Sequence, residues 1–346
     1  SGYAITTGDE NICIGNSAGL HLTTGSKNVA IGGNALNGAT TVSNQTAVGH
    51  MALQSLTSGT ANTALGYQAG KATTTGGSCV FIGHNAGLSN TTGVRNHCIG
   101  QAAGFSLTTG DDNIFIGEGA GYPGTTGNGN TVVGSLGARG LTTGHSNTAM
   151  GQNALGAITE GTENVIMGGS AGASITTGTN NVCLGVRSGL VNQPGGAITT
   201  GDNQIAIGDS SSANAHIQID WTVASDKRDK TDVTPLDMGL SFINKLEPVT
   251  YKWDKRAKYE EGKTPDGTHK ESWTDVGFLA QDVEKIEAEF GHKIEDETNL
   301  TTYMSEDESC YGLTYAKFVP MLVKSVQELS TQVDELKLEL SALKGE

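Results

Sequence analysis

The sequence predicts a mainly β repeat fibre, built as a β-helix or β-roll solenoid over residues 1–215, followed by a small α+β domain that ends in a coiled-coil helix. Three observations predict this fold class. Glycine recurs every 17 residues through the first part of the chain, the composition changes near residue 224, and apolar residues keep a heptad spacing at the C-terminal end. The 346-residue chain therefore consists of two physically different segments.

Composition and charge exclude several classes of partner. All but seven of the 50 glycines lie before residue 225, whereas most charged side chains follow it. The net charge of −15 argues against nucleic acid or an anionic membrane as the main partner, because phosphate binding needs clustered Lys and Arg. The five cysteines lack the spacing of a zinc site or a disulfide framework, so no metal and no cofactor are expected.

The glycine period defines a repeat that reads approximately N-x-A-I-G-x-x-A-G-x-x-x-T-T-G-x-x. A six-residue insertion at 191–196 separates the last copy, which ends its strand at Gly208, from the others. Each repeat is expected to form one coil, and no coil is stable alone. The glycines that keep the 17-residue spacing are Gly15, Gly32, Gly49, Gly66, Gly83, Gly100, Gly117, Gly134, Gly151, Gly168 and Gly185.

The residues before each of these glycines predict a short strand. The residue directly before it is apolar in every copy, as in Ile14 and Leu65, and the residue two before it is uncharged and mostly small, as in Cys13 and Ala64. Because neighbouring residues of a strand point to opposite faces, both faces of this strand are expected to be buried. A thin solenoid buries one face, so the second face needs a partner, and the simplest partner is another copy of the chain.

Asparagine and the T-T-G stretches complete the predicted coil. Asn recurs four residues before the glycine in most repeats, where stacked amides can bond to one another along the array. The T-T-G and A-G stretches are expected to form the corners, because glycine adopts positive φ without steric cost. The chain opens within a repeat, at Thr6-Thr7-Gly8, which predicts further sequence before residue 1.

The segment after the array predicts a junction and then short mixed elements. Residues 216–224 are expected to form a connecting strand, because Ile217, Ile219, Trp221 and Val223 alternate with polar residues. Thr234-Pro235-Leu236-Asp237 predicts a helix start with a stripe at Leu240, Ile243 and Leu246. Residues 246–253 lead into a strand, 255–272 form an exposed loop, and 276–279 form a strand that runs into a helix.

The last 30 residues predict a coiled coil over about 315–344. Two apolar seams repeat every seven residues for nearly four heptads, which is typical of helices that pair with copies of themselves. Core residues of this kind do not by themselves choose between two and three strands. One seam is Val319, Val326, Val333 and Leu340, and the other is Leu322, Leu329, Leu336 and Leu343.

Both segments resemble known families. The repeats resemble the heads and shafts of trimeric fibrous proteins, including bacterial trimeric adhesins and viral tail or surface fibres. The S-D-x-R-x-K start at Ser225, the L-x-P-V-x-Y-x-W and G-F-L-A-Q-D-V segments, and the final Tyr-Ala-Lys-Phe-Val-Pro run resemble the self-cleaving C-terminal intramolecular chaperone of phage endosialidases and tail spikes, which also occurs in myelin regulatory factor. This second resemblance covers residues 225–346.

The chaperone resemblance implies a catalytic dyad at the junction. It places the nucleophile at Ser225 and the general base at Lys230, and it implies cleavage of the Ala224–Ser225 bond. A lysine acts as a base only when neutral, and the cationic neighbours Lys227 and Arg228 are candidates for favouring that form. Asp229 departs from the family, where a hydrophobic residue is common, and a carboxylate near the lysine would favour its charged form.

These expectations combine into one function and two alternatives. The chain is expected to be a homotrimeric phage-type fibre or tail spike that binds a host-surface glycan or receptor, folds in the host cytoplasm and lies on the virion surface or outside the cell after processing. Its C-terminal domain is expected to direct trimerisation and then to release itself once per chain. One alternative is a bacterial trimeric adhesin that is not cleaved. The other is a glycan-cleaving tail spike, for which the array offers only the acidic pairs Asp9/Glu10 and Asp111/Asp112.

Overall fold

The computed structural model describes residues 2–191, 196–212, 216, 223–259 and 263–345. The chain divides into two compact units, Ser1–Ser211 and Ser212–Glu346. The predicted connecting strand falls mainly on residues 217–222, which lie outside the described residues.

The first unit is a β-solenoid, as predicted. Within the described residues, twelve strands of three residues each form one parallel sheet in chain order, and each strand pairs with the next. The register is 17 residues, for example Ile12 with Val29, except that Val182 pairs with Ile205 across the insertion. The strands are β1 Ile12–Ile14, β2 Val29–Ile31, β3 Thr46–Val48, β4 Thr63–Leu65, β5 Val80–Ile82, β6 His97–Ile99, β7 Ile114–Ile116, β8 Thr131–Val133, β9 Thr148–Met150, β10 Val165–Met167, β11 Val182–Leu184 and β12 Ile205–Ile207.

Two kinds of glycine allow the coils to stack this closely. Gly49 follows β3 with φ of +138°, and a Cβ built on it would lie 2.2 Å from the carbonyl oxygen of Gly66. Gly59 belongs to a threonine-rich corner, and a Cβ there would lie 1.8 Å from the carbonyl oxygen of Gly76. A side chain at either position would collide with backbone of the next coil, which explains the glycine period.

The core of the solenoid is a column of small and branched side chains. The middle residue of each strand points inward and is buried in every coil from β2 to β11, as in Phe81 and Phe115. Alanine at or near the corner, together in several coils with an aliphatic residue four positions later, such as Ala18 and Leu22, fills further interior positions.

The outer face of the strands is not buried within one chain. Ile14, Leu65 and Ile207 are 58%, 48% and 60% exposed, respectively. Within a single chain the described residues thus leave the outer face uncovered, and its predicted burial depends on a partner copy. The physical reason is the alternation itself, which directs the first and third residue of each strand away from the interior.

The predicted asparagine ladder is confirmed inside the array. Asn130 is buried, and its side-chain amide donates to Asn113 Oδ1 at 3.1 Å and to the carbonyl oxygen of Gly144 at 2.9 Å. Its Oδ1 accepts both the backbone and the side-chain N–H of Asn147. Each amide thus joins two coils and a corner, which satisfies backbone groups that the stack would otherwise leave unpaired.

The second unit is a small α+β domain. It contains α1 Leu240–Ile243, α2 Ala280–Glu289 and α3 Phe318–Lys344, with antiparallel pairs formed by β13 Val249–Tyr251 with β14 Asp275–Gly277 and by β15 Thr302–Met304 with β16 Tyr311–Leu313. Short 3₁₀ turns lie at Lys227–Asp229, Arg256–Lys258 and Tyr315–Lys317. The buried core consists of Met238, Phe242, Val283, Phe318 and Met321.

One helix prediction in this unit is wrong. No helix begins at Thr234, because residues 233–238 have no regular secondary structure and α1 begins at Leu240. Long-range contacts replace the predicted local cap: Glu328 of α3 accepts the backbone N–H of Leu240 at 2.7 Å. The buried residues here are Met238 and Phe242, whereas the predicted stripe at Leu240, Ile243 and Leu246 is only half-buried.

Candidate active site

Ser225 and Lys230 are in direct contact. The Lys230 Nζ atom donates a hydrogen bond of 2.6 Å to Ser225 Oγ. The two residues flank the 3₁₀ turn Lys227–Asp229, so a single turn of backbone closes the five-residue separation between them. The structure therefore brings together the two residues that the sequence predicts as nucleophile and base.

Asp226 holds this turn in place. It is the N-cap residue, and its Oδ1 accepts the backbone N–H of Arg228 at 2.9 Å. Its carbonyl oxygen accepts the N–H of Asp229, and that of Lys227 accepts the N–H of Lys230 at 3.3 Å. These bonds hold the backbone between Asp226 and Lys230, and the sequence prediction did not identify the role of Asp226. Its position at the start of the turn was the available signal.

Arg228 lies beside a carboxylate in the described structure. The Arg228 guanidinium forms an ion pair with Asp226, with 2.6 Å between Nη2 and Oδ2. This hydrogen-bonded pair holds the pKa of Asp226 below its usual range. The cation of Arg228 is therefore compensated by a neighbouring carboxylate, and Lys227 contributes its backbone carbonyl to the turn.

The whole segment is exposed in the single chain. Residues 223–235 all lie at the surface, including Ala224, Ser225 and Lys230. A lysine becomes neutral at moderate pH when it is buried or placed near an uncompensated cation. The described structure thus shows the contact between Ser225 and Lys230, with both side chains exposed.

The other reactive side chains of the array have structural roles. Burial raises the pKa of the Cys183 thiol to about 11, and burial also raises the pKa of Cys98. Neither thiol is available as a nucleophile, because the thiolate is the reactive form. These cysteines fill inner-face positions that alanine or phenylalanine occupies in other coils.

The acidic pair Asp111/Asp112 is likewise engaged between coils. Asp111 Oδ1 accepts the backbone N–H of Val94 at 2.8 Å, and Asp112 binds Arg95 through two hydrogen bonds. The Arg95 hydrogen bond lowers the pKa of Asp112. A general acid for glycoside cleavage needs a raised pKa, so this pair does not support the glycan-cleaving alternative.

Residues 225–292 match the family model described as chaperone of endosialidase. The match begins at Ser225 itself and confirms the resemblance over that range. No curated protein and no solved structure matches the chain. Within the described residues, no helix is long and apolar enough to cross a bilayer.

The fold and this match together define a class of protein. A β-solenoid followed by a chaperone-of-endosialidase domain fits a phage-type fibre with a C-terminal intramolecular chaperone. At the level of the family, the matched model implies a self-cleaving serine peptidase.

Proposed function

We propose that this chain is a homotrimeric phage-type fibre protein whose C-terminal domain aligns three copies and then releases itself by cutting the Ala224–Ser225 bond. The observation that carries the proposal is the 2.6 Å hydrogen bond between Lys230 Nζ and Ser225 Oγ. It lies at the first residue of the family match, directly after the bond to be cut.

The proposed chemistry is an acyl shift followed by hydrolysis. Neutral Lys230 accepts the hydroxyl proton of Ser225, and Oγ attacks the carbonyl carbon of Ala224. The C–N bond then breaks, and the lysine returns the proton to the amino nitrogen of Ser225. Water hydrolyses the resulting ester, which leaves a carboxylate on Ala224 and a free amine and hydroxyl on Ser225. Because the nucleophile belongs to its own leaving fragment, each chain reacts once.

Assembly is proposed to activate the lysine. Ser225 and Lys230 are exposed in the single chain, so burial must come from outside the described residues. Neighbouring copies are the proposed source, because packing of the domain against itself would desolvate this surface turn. Cleavage then follows correct alignment rather than preceding it.

Helix α3 supports self-association. Its first turns bury Phe318, Met321 and Ser325 against the core of the domain. The predicted heptad seams point elsewhere and are uncovered, with Val326 64% and Leu336 63% exposed. An amphipathic helix with a second apolar stripe of this length is typical of a coiled coil between copies.

The repeat array has a physical need for an aligning domain. A one-coil slip between two arrays of 17-residue repeats preserves most contacts, so the array specifies its register weakly. Long-range β pairing is also slow and leaves strand edges exposed to aggregation. A domain that associates first would set the register at one end, and its removal would leave a kinetically trapped fibre. The fibre is proposed to lie on the virion surface and to bind a host glycan or receptor.

A denaturing gel with mass determination tests the cleavage. The purified wild type is expected to yield two fragments, one ending at Ala224 and one beginning at Ser225. Ser225→Ala and Lys230→Ala are expected to yield one intact chain that still trimerises by light scattering. The control Lys270→Ala removes an exposed lysine of the same domain and is expected to cleave normally. An intact wild-type trimer would favour the uncleaved adhesin, and cleavage of Ser225→Ala would exclude the proposed nucleophile.

A further inference from the structure

The outer face of the solenoid sheet consists of the first and third residues of strands β1–β12. We call the two lines of side chains the first row and the third row. The third row is aliphatic or methionine in all twelve coils. Its members are Ile14, Ile31, Val48, Leu65, Ile82, Ile99, Ile116, Val133, Met150, Met167, Leu184 and Ile207.

The first row is more polar but carries no carboxylate, lysine or arginine. It consists of isoleucine, valine and threonine, together with a single histidine, His97. His97 is exposed and lies between Val80 and Ile114 of the adjacent strands. The outer face therefore has an apolar line flanked by a mixed one, which is the distribution of a protein interface with a dry centre and a more polar rim.

The dimensions of the face identify its occupant. Twelve strands about 4.8 Å apart give a length of roughly 58 Å, and the three-residue strand width gives an area on the order of 600 Å². That area approaches the roughly 800 Å² that each partner contributes to a standard interface. A partner must offer an uncharged surface of the same length with a side chain at every coil, and the outer face of another copy meets both conditions.

We propose that the outer face of β1–β12 packs in register against the same face of the other copies, with the third row nearest the common axis. This inference rests on the homo-oligomer of the proposed function and adds its surface and register. Around an axis parallel to the solenoid, equal residue numbers meet at equal height, so the His97 side chains share one level. A slip of one coil places each His97 against the Val80 or Ile114 level of a neighbour.

His97 thereby acts as a register mark. Aligned histidines can share water or hydrogen bonds with one another, whereas a slipped histidine faces an aliphatic level and loses that polar partner. A single polar residue in an apolar seam sets register in coiled coils by the same mechanism. One histidine among twelve coils favours the correct register only weakly, which agrees with the proposed need for an aligning domain.

Cysteine cross-linking of the full chain tests the surface. Ile99→Cys and Leu65→Cys, both in the third row, are expected to form disulfide-linked dimers on mild oxidation, as seen on a non-reducing gel. Thr92→Cys places the thiol on an exposed corner and is expected to stay at the wild-type level, which measures the background from native Cys13 and Cys310. Two third-row variants are used so that the test still works if one of them does not fold.

Register is tested by co-expressing two chains of different size that carry Ile82→Cys and Ile116→Cys. These levels are two coils apart, roughly 10 Å, which is beyond the Cα separation of about 7 Å that a disulfide spans. Aligned copies are expected to give same-size dimers only. Mixed-size dimers would overturn the register.

Light scattering separates the proposed interface from the self-association on which the proposed function depends. Trimers that cross-link at Thr92→Cys and not at the third row would overturn the interface while leaving the proposed function intact. A cleaved chain that remains monomeric would contradict self-association in the proposed function as well.

Discussion

The carboxylate of Asp226 accepts one hydrogen bond from the backbone N–H of Arg228 and another from the Arg228 guanidinium. This double contact closes the turn across which Lys230 reaches Ser225. Removing it should therefore slow cleavage without removing either reacting group.

Asp226→Ala is expected to slow cleavage by roughly five- to tenfold, because loss of an N-cap bond populates open turns. Asp226→Asn keeps an acceptor for the Arg228 amide and is expected to lose less. Single-turnover cleavage after refolding, followed on a denaturing gel, measures both rates. Asp232→Ala, an exposed acid just beyond the dyad, is the matched control. Equal rates for wild type and Asp226→Ala would show that the turn forms without the cap.

The two glycine environments of the array predict opposite outcomes for one substitution. Gly49→Ala is expected to destabilise the solenoid by at least about 2 kcal/mol, because its φ is positive and its Cβ would strike the carbonyl of Gly66. Gly169→Ala is expected to be tolerated, because no atom lies within 4 Å of its Cβ position. Thermal unfolding followed by circular dichroism compares the two variants. A similar midpoint for both would contradict the stacking explanation.

The asparagine ladder should be costly to interrupt. Asn130→Ala removes bonds to Asn113, Asn147 and Gly144 in the interior, and we expect a loss of about 3 kcal/mol in unfolding free energy. The exposed Gln152→Ala is expected to stay within about 0.5 kcal/mol of wild type. Urea unfolding measures both values. Equal stability of the two variants would mean that water replaces the ladder bonds.

Glu328 gives the C-terminal unit a pH dependence. The Leu240 N–H holds the pKa of this carboxyl below its usual value, so the stabilisation is present above the unfolded pKa of about 4.3 and is lost as pH falls through the lower, folded value. Stability of wild type is expected to fall more steeply with acid than that of Glu328→Gln, measured by tryptophan fluorescence in urea. Glu335→Gln on the exposed part of α3 should behave like wild type. Parallel pH curves for wild type and Glu328→Gln would show that the hydrogen bond between Glu328 and Leu240 does not cause the pH dependence.

The proposed function makes cleavage depend on assembly through the coiled-coil seam. Leu336→Asp is expected to give a monomer that stays uncleaved, because the dyad then lacks the burial that other copies provide. Gln332→Asp introduces the same charge outside the seam and is expected to trimerise and cleave. Light scattering and a denaturing gel report the two properties together. A monomeric Leu336→Asp chain that still cuts itself would show that the single chain activates Lys230.

Periodic and local features of this protein were predictable from the sequence, and long-range contacts were not. The spacing of Gly15 to Gly185 determines the strands, because every coil repeats one set of neighbours. The β15–β16 hairpin was missed because its anchor, buried Glu287, accepts bonds from Thr301 and Thr302 across a separation of 14 and 15 residues. The false helix at Thr234 has the same origin, since α1 takes its cap from Glu328.

The central claim is that the repeats do not align themselves and that the C-terminal domain aligns them before leaving. The most direct measurement compares assembly of residues 1–224 expressed alone with assembly of the same residues released from the full chain, using light scattering and third-row cross-linking. Aggregates or mixed registers are expected from the array alone, and aligned trimers are expected from the full chain. Efficient formation of aligned trimers by an array that never met its C-terminal domain would contradict it.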